Sequence, residues 1–178
     1  MSANIDSQAR SLHSLSRAVH SMRERSKDIV HIYNEVFLLS NEGIDYEESE
    51  CVLLMTPQLH TNTITIENLS SNLNDTFTTL RDILSLLRII KEQTNDINLC
   101  FSISSLENMA YDALCSLNHL GLGSGVTLSR QIYLRQITLP CYDVPRESRF
   151  LIERETFKNI ITLTNGLFQS YNTFRHQI

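Results

Sequence analysis

His13 and His20 lie seven residues apart, and Glu24 follows His20 by one helical turn, so a helix through this stretch would bring up to three metal-ligating side chains to one side. A zinc or transition-metal site needs more ligands in a defined geometry, and a solvated helix face accounts for these three better. His31 and His60 have no spaced partners, and His119 and His176 fall at predicted element ends. Gly121-Leu122-Gly123-Ser124-Gly125 shares its glycines with a phosphate-binding loop, but no Lys follows and the preceding segment reads as helix rather than strand. Cys51, Cys100, Cys115 and Cys141 are scattered, with no C-x-x-C pair, and read as free thiols. Cys115 in particular reads as a small buried hydrophobe. Neither G-x-S-x-G nor H-E-x-x-H occurs. The expectation is a chain with no catalytic residues, cofactor, metal or small-molecule ligand.

What the sequence carries instead is helical patterning. Leu12, Leu15, Val19, Met22, Ser26, Ile29, Tyr33 and Val36 step by three and four in alternation, with Phe37 continuing the apolar run. A second row passes through Leu69, Leu73, Thr76, Leu80, Ile83, Leu87, Ile90 and Thr94, and a third through Phe150, Glu153, Phe157, Ile160, Thr164, Leu167, Tyr171 and Phe174. The predicted fold is all-α, with three long heptad-patterned helices and one short helix in a coiled-coil or helical-bundle arrangement. The long helices fall within residues 1–40, 62–96 and 143–178. Residues 41–61 form an acidic linker, and 97–142 hold the short helix and an irregular connection. Ser104-Ser105-Leu106-Glu107 reads as a capping box that opens the short helix near Ser105, and Gly121 as its stop. Val126–Leu128 and Ile132–Leu134 favour a short extended piece. Asp143 before Val144-Pro145 is a candidate cap for the last helix.

Charge and composition narrow the function classes. The 178 residues carry a formal net charge of −5, so no positive field exists to hold a phosphate backbone, and direct nucleic-acid binding is not expected. No apolar run is long enough for a membrane span, and the first fifteen residues lack the apolar core of an export signal. An intracellular scaffold follows as the expectation. Its apolar rows would serve as the partner-interface seam: Leu12, Leu15, Val19, Met22, Ile29, Tyr33, Val36 and Phe37 on the first helix, Leu73, Leu80, Ile83, Leu87 and Ile90 on the second, and Phe150, Phe157, Ile160, Leu167, Tyr171 and Phe174 on the last.

Three segments, in order, resemble the family of Mediator complex subunit 30. They are Asp28–Leu39 (DIVHIYNEVFLL), Thr79–Asp96 (TLRDILSLLRIIKEQTND) and Leu151–Asn159 (LIERETFKN), with Asn172-Thr173 similar to the family's closing turn. The resemblance spans about half of the chain, which departs from the family pattern in having no Trp, Tyr171 standing nearest its place. It implies a non-enzymatic structural subunit of a nuclear transcription coactivator. Such a subunit would join other Mediator subunits through helical bundles and help bridge gene-specific regulators to RNA polymerase II, which it would reach indirectly. Two other readings fit the same residues. One is another intracellular coiled-coil scaffold subunit. The other is a secreted four-helix cytokine, since long first and third connections mimic an up-up-down-down plan. In a secreted chain the sequons Asn68-Leu69-Ser70 and Asn74-Asp75-Thr76 would also gain meaning.

Overall fold

A computed structural model describes residues 2–37, 63–128 and 146–176. Among these residues the fold is all-helical, with four helices and no strand: α1 (Ser2–Val36), α2 (Leu69–Gln93), α3 (Ile97–Gly123) and α4 (Arg146–Arg175). None is long and apolar enough to cross a membrane.

Helix termini show how local sequence sets the lengths. Before α2, Thr65 and Asn68 exchange bonds: the Thr65 amide donates to Asn68 Oδ1 (2.8 Å) and the Asn68 amide to Thr65 Oγ1 (3.4 Å). This is the reciprocal logic of a capping box, and it holds the turn from which α2 departs. Thr94 leaves α2 in extended geometry, and Asp96 then caps α3, its carboxylate accepting from the Leu99 amide at 2.7 Å. The expected short helix is therefore a full-length one of 27 residues, beginning eight positions before Ser105. Ser104 and Ser105 lie inside it, and Glu107 pairs with Lys91 of α2 rather than with a cap amide.

At the other end α3 passes through Gly121 and stops at Gly123. Val126 N–H bonds back to Gly121 O (2.8 Å) and Gly125 N–H to Leu122 O (3.3 Å), while Gly125 takes the left-handed φ of 73° that such a stop requires. A Cβ on Gly121 would approach the Val126 carbonyl to 2.9 Å, so this close return needs glycine there too. Val126–Leu128 form no strand. The predicted Asp143 cap, the acidic linker 41–61 and Ile132–Leu134 lie outside the described residues.

Topology follows from which ends meet. Gln8, near the start of α1, donates to the carbonyl of Gly123 at the end of α3 (2.7 Å). Arg23 reaches Asn165 (2.9 Å), and Tyr33, near the end of α1, reaches Glu153, near the start of α4 (2.7 Å). Thr76 in the early part of α2 meets Tyr171 in the late part of α4 (2.8 Å), and three residues join α2 to α3. α1 thus runs antiparallel to α3 and α4, and so does α2. α1 packs on α3 and α4, and α2 on α3 and more loosely on α4, which leaves α1 and α2 diagonal to each other. The order is up-up-down-down.

One apolar core fills the centre. The row Leu12, Leu15, Val19, Met22, Ile29 and Tyr33 of α1 is sealed from solvent, as are Leu73, Leu80, Ile83, Leu87 and Ile90 of α2. α4 adds Phe157, Ile160, Leu167, Tyr171 and Phe174. α3 supplies Leu99, Ile103, Leu106, Ala110, Ala113, Leu117 and Leu120, spaced four and three.

Candidate interaction surfaces

The predicted partner seam is thus placed inside the chain's own bundle. Val36 is the exception at 56% exposed, while Phe37 and Phe150 lie half-buried against the core edge, their rings 4.2 Å apart. These rows all face the shared core, so a partner would have to open the bundle to reach them.

At the end where α1 stops and α4 starts, the core turns polar. Glu153 is buried; Tyr33 Oη donates to its Oε2 at 2.7 Å and the Arg149 Nε lies 3.6 Å from its Oε1. Burial pushes its carboxyl up to about 7, against the opposing pull of the Tyr33 bond and the Arg149 charge. Next to it Arg154 is fully buried, bonded to Asn34 (3.3 Å) and paired with Glu155, which also takes Lys158 at 2.7 Å. Tyr33 stands amid the rings of Phe37, Phe150 and Phe157, at centroid distances of 5.4 to 6.3 Å. This arrangement locks α1 to α4. In the opposite half of the bundle the buried Tyr171 hydroxyl bonds Thr76, and its burial holds the phenol proton more firmly than usual.

The candidate ligands of the first helix are engaged elsewhere. His20 Nδ1 is bonded to Arg23 (3.1 Å) and its ring packs against Phe168, while His13 meets Arg175 of α4 (3.1 Å). Glu24 pairs with Lys27 and Arg23, which hold its carboxyl below the usual range. Among the described residues no three of His, Cys, Asp and Glu gather closely enough to hold a metal ion. His31 pairs with Glu35 on the α1 surface, and His119 and His176 are exposed. The glycine stretch lies at the carbonyl end of α3, where the helix dipole is negative and a phosphate would be repelled. His60, Cys51 and Cys141 lie outside the described residues.

Cys115 corrects the sequence reading: it is exposed, on the outer side of α3, because the inner row there belongs to Ala113, Leu114 and Leu117. Cys100 is half-buried on the same helix, and fifteen residues of helix separate the two sulfurs by about 22 Å, far beyond a disulfide.

Periodicity did not reveal the outer side of α3. Ile97 (84% exposed), Phe101 (73%), Tyr111 and Leu122 all face solvent, and the 27 residues of this helix hold no Lys or Arg. At the far end of the bundle from Glu153, a cavity of about 330 Å³ lies among Gln8, Ile66, Glu67, Leu69, Val126 and Phe174. No family model matches the chain, and no curated protein or solved structure matches it either.

Proposed function

We propose that this chain is a non-enzymatic signalling protein of the helical cytokine kind, acting by presenting the outside of a self-contained bundle to partner proteins. The observation that carries this reading is the up-up-down-down order, in which residues 37–68 and 124–145 make two long connections and residues 94–96 one short one. Two long crossovers between parallel helices are the plan of growth-hormone-like and cytokine bundles. Burial of the apolar rows within one chain also favours a molecule that folds alone and binds by its surface.

A second reading, a structural subunit of Mediator acting in the nucleus, draws its support from Asp28–Leu39, Thr79–Asp96 and Leu151–Asn159. In that case the chain enters the assembly as a preformed bundle and meets other subunits through its outer faces.

Thiol titration of the natural protein, unfolded without reductant, separates the two. Two disulfides support the secreted reading and sink the nuclear one; four free thiols do the reverse. Since Cys100 and Cys115 are too far apart to join, two disulfides require each to pair with Cys51 or Cys141. Recovery of other Mediator subunits on affinity purification would establish the second reading directly.

A further inference from the structure

Two of the four described helices are enclosed over part of their length, and the other two are not. On α2 the five consecutive residues from Ile83 to Leu87 are all buried, and on α4 so are those from Glu153 to Phe157. Five residues turn through more than a full circle, so both helices are shut off from solvent on every side at those levels. Among their described residues α1 and α3 show no such run. They are neighbours, so their outer sides adjoin.

The two outer sides differ in chemistry. α3 sets Ile97, Phe101, Tyr111 and Leu122 on one outer side, with exposed Asn108, Asp112, Cys115 and His119 between them and no Lys or Arg. On α1 the charges from Arg23 to Glu35 are largely satisfied locally, by Arg23–Glu24, Lys27–Glu24, Arg25–Asp28 and His31–Glu35. Arg10 and Arg17 are not: both are exposed, Arg10 reaches the Asp6 carbonyl, and neither joins an ion pair among the described residues. Because Gln8 is tied to Gly123 and the two helices run antiparallel, these arginines lie alongside the half of α3 that carries Tyr111 and Leu122.

Size decides how far the face must extend. A strip about 40 Å long and about 10 Å wide offers about 400 Å², half of the roughly 800 Å² per partner that a stable interface buries. A second copy pairing through α3 alone would fall short, so the occupant must also cover α1.

We infer that the outer sides of α1 and α3 form one docking surface for a different protein, one that seats an apolar patch on Phe101, Tyr111 and Leu122 and sets carboxylates opposite Arg10 and Arg17. This deepens the protein-binding reading above and rests on it.

The test places the photo-crosslinker p-benzoylphenylalanine in the full chain, one position at a time, at Phe101, Tyr111, Thr78 of α2 or Thr162 of α4, all exposed, in cells that make the protein. The expected result is adducts with one other polypeptide from 101 and 111 and none from 78 and 162. With that polypeptide purified, Tyr111→Ala and the double variant Arg10→Glu/Arg17→Glu should each weaken binding at least tenfold, the second loss shrinking at high salt. Adducts from 78 or 162 alone would overturn the surface and leave the protein-binding reading standing. An absence of adducts from all four would overturn both. Adducts confined to a second copy of the chain, or binding untouched by the variants, would overturn the assignment of the partner.

Discussion

The α1/α4 end around Glu153 and the outer side of α3 break the same rule in opposite directions. One puts the carboxylates of Glu153 and Glu155, the Arg154 guanidinium and the Tyr33 phenol inside; the other puts Ile97 and Phe101 outside. Buried charge costs free energy unless it is paired, and the pairing at Glu153 is incomplete enough for its proton to be held to near neutral pH. Exposed apolar area costs little in an isolated chain but is available to a partner. The first region therefore bears on how the bundle holds together, and the second on the surface proposed for a partner.

Substitutions of like residues inside the bundle and on the outer side of α3 should show the contrast at its largest. Ile83, sealed between helices, becomes an unpaired buried charge in Ile83→Asp, a loss of more than about 4 kcal/mol that should abolish the cooperative thermal transition. Leu80→Asp is expected to do the same. Ile97→Asp, at a position 84% exposed, should stay within about 0.5 kcal/mol of the parent. Equal losses from both would mean that α3 is covered in solution.

Two phenylalanines repeat the comparison at smaller scale. Phe157→Ala opens a cavity beside Tyr33 and should cost about 4 kcal/mol by denaturant titration. Phe101→Ala should leave the denaturation midpoint nearly unchanged while weakening partner binding.

Glu153 gives the polar end a pH signature. Burial raises its carboxyl from the ordinary 4.5 to about 7, so its contribution to stability is complete below about 4.5 and is lost as pH rises through about 7. The loss amounts to about 3 kcal/mol by linkage. Glu153→Gln, which can still accept from Tyr33, should flatten the stability profile across that window and exceed the parent above it. A profile unchanged by the substitution would assign the slope to other groups.

The bundle was legible in the sequence where spacing and side-chain size agreed. The rows on α1, α2 and α4 are large apolar residues at three-four steps, and their burial follows from amphipathicity alone. On α3 the inner row is as regular, but Ala110 and Ala113 weaken its signal, and Ser104–Glu107 offers a local cap that the tertiary structure does not use. Asp96, three residues beyond α2's end at Gln93, is the cap that is used. Glu153 was visible as a polar interruption in an apolar row, and such interruptions are where buried networks sit. The outer face of α3 stayed hidden because periodicity assigns apolar residues to a core and cannot say which of two apolar faces is left without a neighbour.

The smallest effect sharpens the comparison most, because the exposed face of α3 depends on where that helix begins. With Asp96 as its cap, Ile97 and Phe101 belong to the first turns and share a side of the helix with Tyr111 and Leu122; with a start at Ser105, they would precede the helix and share no side of it. Asp96→Ala removes the carboxylate that accepts from the Leu99 amide and should cost about 1 kcal/mol in denaturant unfolding, with faster amide exchange confined to the first turn of α3. Ser105→Ala, inside the helix, should be close to neutral. A reversed pair, with Ser105 costly and Asp96 silent, would move the start of α3 and take Ile97 and Phe101 out of the proposed surface.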